Sequence, residues 1–195
     1  MHNINSIPAN KALEWLIEGN NDYLNAKKNH SGDISQEKRM HTHKHGQSPF
    51  AVIITCSDSR VIPESIFMKG IGDLFVIRLA GNVIGDFALG SIEYAVQHLG
   101  CKLIFVMGHT ACGAVAASLD GHGDSYVGMI TQEIKKAIGR IRNPLAATKK
   151  NVSYSISKIK SSPVISDLEN SGLEVVGGIY HTSTGKVEIL WVIQK

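Results

Sequence analysis

Cysteine is scarce in this sequence, and long apolar runs are missing from it. Only three of its 195 residues are Cys, and the N-terminal stretch MHNINSIPANK carries no apolar core of signal-peptide length. Together these point to a reducing cytoplasm and away from a disulfide-held secreted fold. No run approaches the ~20 apolar residues that a membrane-spanning helix needs, so no membrane partner is expected. Charge of neither sign is in excess: 20 Lys and Arg stand against 17 Asp and Glu, for a formal net charge of +3, and the basic residues are scattered. That leaves no basic footprint for nucleic acid. There is no internal repeat and no low-complexity segment. The glycines do not spell a nucleotide site either. Gly108 and Gly113 have the spacing of the first and last Gly of a phosphate-binding loop, but Ala114-Val115 stands where Lys-Ser/Thr is required.

What is present is an ordinary globular composition, 43% hydrophobic, in a chain long enough for one domain with a sizeable core. The most informative stretch is Phe50 to Arg60, FAVIITCSDSR. Phe50–Ile54 is a continuous run rich in β-branched residues, which reads as a strand buried on both faces, as in a parallel sheet. It ends in Thr55-Cys56-Ser57-Asp58-Ser59-Arg60, which places a thiol, a carboxylate and a guanidinium within five residues. Lys102–Gly108, KLIFVMG, repeats the design and ends in His109-Thr110-Ala111-Cys112-Gly113. In open α/β sheets, chemistry sits beyond the carboxyl ends of strands. Cys56, His109 and Cys112 are therefore expected at the same kind of place. Two thiolates and an imidazole make a three-ligand zinc site with the fourth position open. Cys112 also opens a predicted helix, whose positive end favours a thiolate. A redox pair formed by Cys56 and Cys112 is the competing reading. Cys101, just before the second strand, is expected to pack without chemistry.

Along the rest of the chain, Pro8–Lys28 reads as a helix with Leu13, Leu16, Ile17 and Leu24 on one face. Asn29–Gly46 is polar, and its His41-Thr42-His43-Lys44-His45 cluster reads as a solvated loop or helix end, since nothing nearby orients the imidazoles. A short helix from Pro63 ends near Gly70. Leu74–Leu79 is a strand interrupted by Arg78, and Ala80-Gly81-Asn82 is a turn. Asp86–Leu99 is a helix that Asp86 can cap and Gly100 can end. Further helices follow over Cys112–Leu119, Tyr126–Arg142, Pro144–Lys160 and Pro163–Asn170. Glu174–Tyr180 and Val187–Ile193 read as a hairpin, so the last strand is expected to be antiparallel. The expected fold is α/β: a mostly parallel central sheet with one antiparallel edge strand, flanked by helices.

The motifs Cys56-Ser57-Asp58-Ser59-Arg60 and His109-Thr110-Ala111-Cys112-Gly113, in this order, resemble the β-class carbonic anhydrases. The likeness extends through Gly46-Gln47-Ser48-Pro49-Phe50, Gly72-Asp73-Leu74-Phe75-Val76-Ile77-Arg78, Ala80-Gly81-Asn82 and Gly90-Ser91-Ile92-Glu93-Tyr94-Ala95. It covers most of the chain, densely from Gln47 to Val115. The resemblance implies one domain over 1–195: an N-terminal helical arm, 1–46, that packs on a neighbouring subunit, and an α/β core, 47–195. It implies zinc-dependent hydration of carbon dioxide to bicarbonate, with one Zn²⁺ per chain on Cys56, His109 and Cys112. Asp58 then has two roles open to it. It can close the metal site as a fourth ligand, or pair with Arg60 and accept a hydrogen bond from the attacking water. The Asp-x-Arg spacing suits the pair, which belongs to the family's active form.

By the same resemblance, Gln47 binds a substrate oxygen. Phe75, Ala80 and Tyr94 line a small apolar pocket, and the Gly113 N–H lies beside it. Several of these residues are implied to come from the partner subunit of a homodimer or a dimer-based higher oligomer. Some bacterial members close the site through the Asp and carry a Trp three residues before the first ligand Cys. Here that position is Ile53, which implies an open resting site. Hydrolysis of a CO2 analogue such as carbonyl sulphide is an alternative within the same fold. A catalytically silent bicarbonate-binding protein is another, against which the five intact residues speak.

Overall fold

The computed structural model describes residues 6–26 and 31–191, and of Trp191 the backbone. Its five strands are β1 Ala51–Thr55, β2 Leu74–Arg78, β3 Leu103–His109, β4 Glu174–Tyr180 and β5 Val187–Trp191. They form one sheet in the order β2-β1-β3-β4-β5. β1 pairs in parallel with β2 and β3, β3 pairs in parallel with β4, and β5 returns antiparallel on β4. This is the mostly parallel sheet with an antiparallel edge that the strand patterns predict. The helices are α1 Ala9–Asn25, α2 Gln36–His45, α3 Pro63–Ile66, α4 Asp86–His98, α5 Gly113–Asp120, α6 Ser125–Ile138, α7 Pro144–Lys160 and α8 Pro163–Glu169. Among the described residues no helix is long and apolar enough to cross a membrane.

β1 and β3 are continuous apolar runs because both of their faces are covered. Alternate side chains point to opposite sides. Val52, Ile54, Ile104 and Val106 enter one core with Ile92 and Ala95 of α4 and Val152, Ile156 and Ile159 of α7. Ala51, Ile53, Leu103, Phe105 and Met107 enter the other, with Ala12, Leu13 and Leu16 of α1 and Ile66 of α3. Ile53 is fully buried there. Cys101 lies in the first core; its Sγ donates to the Pro49 carbonyl at 3.2 Å, and burial pushes its thiol up to about 12.

Several local expectations need correction. α1 buries Ala9, Ala12, Leu13, Leu16, Gly19 and Asn20, whereas Ile17 and Leu24 are 42% and 41% exposed. The face is set by close approach: a Cβ on Gly19 would stand 1.9 Å from the Phe67 carbonyl oxygen. Lys27 and Lys28 lie outside the described residues. The His41–His45 cluster, by contrast, lies as expected at an exposed helix end, that of α2, which Ser35 Oγ starts by accepting from the Lys38 N–H; no residue of α2 is buried. Asp86 does not cap α4: Gly85 holds that position and Asp86 is the first helical residue. α6 stops at Ile138 rather than Arg142, because Gly139 takes a left-handed φ of 55°. In the last strand, Val192 and Ile193 lie outside the described residues.

β1 leads on to β2 on one side of it, and β3 leads on to β4 on the other. The carboxyl ends of β1 and β3 therefore border a crevice where strand order reverses, the usual ligand position in open α/β sheets. Gly108, one residue before the end of β3, allows α7 to lie against that strand: a Cβ there would meet Val152 Cγ2 at 2.7 Å and Thr148 Cγ2 at 3.0 Å. Gly108→Ala is expected to destabilise the fold by about 1–3 kcal/mol through overpacking. A lower urea midpoint at an unchanged slope is the measurement that checks it.

Candidate metal centre

The crevice at the end of β1 and β3 collects Cys56, His109 and Cys112. Their ligand atoms all lie within 4.8 Å of one another, and all three residues are buried. Each arrives by a different local device. Cys56 is the first residue beyond β1, and His109 is the last of β3. Cys112 occupies the N-cap of α5 after Ala111 takes a left-handed φ of 56°, which folds the chain back after β3. A non-glycine residue in that region costs of order 1–3 kcal/mol and is typically held by its surroundings. Here the Ala111 carbonyl accepts from Arg60 Nη2 at 3.1 Å.

The histidine tautomer follows from its neighbours. His109 Nδ1 lies 2.9 Å from the Thr110 carbonyl oxygen. A carbonyl can only accept, so Nδ1 carries the proton and Nε2 presents a lone pair. Nε2 is buried with no hydrogen-bond partner among the described residues, and leaving a buried polar atom so costs free energy. A cation shared with the two thiols would satisfy it. The thiols point the same way, and both are free. The Cys56 thiol is pulled down, first by the Cys112 thiol beside it and then by His109 and the Gly81 N–H, which donates to Sγ at 3.2 Å. Cys112 is pushed up by Cys56 and by burial, while the Val115 and Ala114 N–H groups of α5 oppose this. One negative sulfur resists a second beside it, so both become thiolates only around a positive charge. The donor set therefore fits a borderline-soft divalent metal such as zinc.

Asp58 stands at the edge of this group, 17% exposed, with Oδ2 3.9 Å from His109 Nε2. Arg60 grips it in two places: Nε donates to Oδ1 at 2.9 Å and Nη2 to Oδ2 at 2.7 Å. The Arg60 backbone N–H adds a third bond to Oδ1 at 3.0 Å. The guanidinium bond holds the Asp58 carboxyl well below the usual carboxylate range. Of the two arrangements open to Asp58 in the sequence, the coordinates show the pair with Arg60.

The remaining residues named from the sequence divide into two groups. Ala80 opens the 3₁₀ turn Ala80–Asn82 beside Cys56, and Gly113 is the first residue of α5. Gln47 is exposed and precedes β1, so the length of that strand, roughly 16 Å, separates its stretch from Cys56. Phe75 pairs with Val52 in the amino-terminal half of β2. Tyr94, 47% exposed on α4, meets the Phe75 ring with centroids 6.2 Å apart. A single chain therefore does not bring Gln47, Phe75 and Tyr94 to its own thiols. His41 and His45 stack on α2 with ring centroids 4.6 Å apart and are exposed.

Two contributors carry no role in the sequence reading. Arg78, in register with Thr55, reaches across from β2, donating from Nε to the Cys56 carbonyl at 3.3 Å and from Nη2 to the Asp58 carbonyl at 2.7 Å. Its visible signal is a charge inside an apolar strand. Asn151 of α7 donates to the Gly81 carbonyl at 2.7 Å, and nothing local marks it.

Comparison with known proteins agrees with this geometry. The carbonic anhydrase family model matches residues 51–187. Carbonic anhydrase 2 of Mycobacterium tuberculosis is 36% identical over 95% of this chain and 93% of its own length. The carbonic anhydrase of Mycolicibacterium smegmatis is 34% identical over 97% of this chain and 95% of its own. Among solved structures, a tetrameric β-carbonic anhydrase from Sordaria macrospora superposes with a TM-score of 0.73 at 29% identity, covering 80% of this chain and 87% of that one. With its sheet order, its Cys-His-Cys group and these relatives, the chain belongs to the β-class carbonic anhydrases.

Proposed function

We propose that this chain hydrates carbon dioxide reversibly to bicarbonate and a proton, using one Zn²⁺ held by Cys56, His109 and Cys112. The observation that supports this most is the buried His109 Nε2, without a hydrogen-bond partner among the described residues and grouped with two free thiols. When bound, zinc acts as a Lewis acid that acidifies a water and makes it nucleophilic near neutral pH. Two thiolates cancel the ion's formal charge, which favours activity on the alkaline side relative to a site of three neutral histidines.

The chain's own residues supply the rest. The Thr110 carbonyl fixes the His109 tautomer by accepting a hydrogen bond from Nδ1–H. Arg60 keeps the Asp58 carboxylate ionised and turned aside from the donors, so that an oxygen remains to accept the attacking water's hydrogen and orient its lone pair. Ala80 contributes an apolar wall, which suits CO2 because that molecule has no net dipole. Gly113, in the first turn of α5, has an N–H without an intrahelical partner, which suits an oxygen gaining charge. We assign Gln47, Phe75 and Tyr94 to the site of a second copy, making the dimer the catalytic unit. Their position away from their own thiols supports this, as does the outer edge of β2, which no strand among the described residues pairs. In this reading 47–195 is the core, and α2 of the 1–46 arm, with no buried residue, is free to meet the second copy. The Asp58–Arg60 pair and the buried Ile53 support an open resting site. The scarce, free thiols suit a cytoplasmic protein.

The purified protein is expected to carry one zinc per chain and to hydrate CO2 in stopped flow, and Cys112→Ala to lose metal and activity together. Full zinc in Cys112→Ala with unchanged turnover contradicts the ligand set; faster turnover of carbonyl sulphide than of CO2 reassigns the substrate. Arg60→Ala is expected to keep its zinc while activity falls about 10–100-fold, the range for residues that orient a metal site. Parent-level turnover in Arg60→Ala removes the orienting role. Gln47→Ala and Cys112→Ala should each be inactive alone. Unfolded and refolded together, they should recover roughly a quarter of the parent rate, since half of randomly paired dimers contain one intact composite site. No recovery on mixing, with dimers present, places Gln47 outside the partner's site.

A further inference from the structure

The inner face of α7 carries a polar stripe where a core helix is expected to be apolar. Asn151, Ser155 and Lys158 follow one another at helical spacing, and the first two are almost wholly buried. Each donates to a main-chain carbonyl of the Ala80–Asn82 turn or just after it: Asn151 Nδ2 to Gly81 at 2.7 Å, Ser155 Oγ to Asn82 at 3.0 Å, and Lys158 Nζ to Ile84 at 2.7 Å. The first two donors of the stripe hold successive carbonyls of the turn.

That turn needs to be held. Gly81 and Asn82 both have left-handed φ, 66° and 45°. A Cβ on Gly81 would stand 2.6 Å from Ile134 Cδ1 and 3.1 Å from Ala114 Cβ, so α5 and α6 close over it from the other side. Two consecutive left-handed residues, one of them not glycine, persist only where the surroundings over-determine them. The product of this conformation is one hydrogen bond into the metal centre, from the Gly81 N–H to Cys56 Sγ at 3.2 Å. Gly81 is thus gripped at its carbonyl by Asn151 and delivers its amide to a ligand sulfur.

We propose that Asn151 is a positioning residue of the metal centre: by holding Gly81 it keeps an N–H on the Cys56 sulfur and so sets how much charge that sulfur gives the metal. A hydrogen bond to a ligating thiolate draws charge away from the metal and leaves it the stronger Lewis acid. Asn151 touches neither thiol, and its whole effect passes through the Gly81 backbone. The inference rests on the metal-site reading above.

The test uses cobalt(II) in place of zinc in the full-length protein, reading the thiolate-to-cobalt charge-transfer absorption of the parent, Asn151→Ala and Asn143→Ala. Asn143 caps α7 by accepting from the Ala146 N–H at 2.9 Å, so its loss weakens the same helix without releasing the turn. Without the Gly81 N–H the filled sulfur orbital rises, and the band should move to lower energy in Asn151→Ala. The zinc form of Asn151→Ala should show a kcat about tenfold lower at an unchanged KM. Asn143→Ala should superimpose on the parent in both readouts. A folded Asn151→Ala whose band coincides with the parent's overturns the proposal, as does an equal shift in Asn143→Ala. Should Asn151→Ala not fold, Asn151→Ser, whose hydroxyl can bond within its own helix, is judged by the same criteria. Absence of any thiolate band in the parent would defeat the metal assignment itself, whereas a band present but unmoved defeats only the role of Asn151.

Discussion

The adjacency of β1 and β3, parallel neighbours whose chains leave in opposite directions, is the constraint on which the rest depends. Each strand is buried on both faces, so its polar residues are confined to its ends. Because the crossovers diverge, the carboxyl ends of this pair are not covered by one connecting loop, and a gap stays open between them. Cys56 and His109 reach that gap by backbone position alone. Cys112 reaches it because Ala111 accepts a strained φ. The dihedral cost at Ala111 is the counterpart of delivering two donors from one short loop.

Bringing two thiols, an imidazole and a carboxylate together creates an excess of negative charge, and much of the surrounding structure answers it. Arg60 binds the Asp58 carboxylate through both oxygens, and Arg78 reaches over from β2 to the carbonyls of Cys56 and Asp58. The Gly81 N–H meets one sulfur, and the first turn of α5 favours negative charge on the other. What these groups leave unanswered is the lone pair of His109 Nε2. A divalent cation completes the set electrostatically and by hydrogen-bond capacity. The same compensation explains why α7 has a buried polar stripe: the Gly81 and Asn82 carbonyls of the turn that offers Gly81 to the sulfur take their donors from Asn151 and Ser155.

The local errors in reading this sequence have separate physical causes. Ile17 and Leu24 fall on an apolar face of α1 by periodicity, yet the buried face is centred on Ala12, Leu16 and Gly19. Close approach to the Phe67 backbone selects small residues over large ones there. Gly139 reads as one more position in an amphipathic pattern, but its left-handed φ ends α6 before Ile141. Asp86 has the chemistry of a cap and lies one residue inside the helix, where its charge still favours the helix N-terminus. Asn151 gives no sign of its role, because a hydrogen bond across seventy residues leaves no periodic trace.

By itself the sequence determined the strands, the antiparallel edge and which three donors, Cys56, His109 and Cys112, stand at strand ends. Short continuous apolar runs rich in β-branched residues read as central strands of a covered sheet, and polar motifs at their C-terminal ends then emerge at its carboxyl edge. The Asp58–Arg60 pair was legible for the same reason, since two residues of separation keep it a local interaction. Tertiary structure alone decided that β1 lies beside β3, so that two motifs more than fifty residues apart share one crevice. It alone decided that Arg78 and Asn151 serve that crevice, and that Gln47, Phe75 and Tyr94 lie away from it within their own chain. Those facts depend on strand order, register and crossover direction. They are set by how whole faces pack, and no spacing along the chain encodes them.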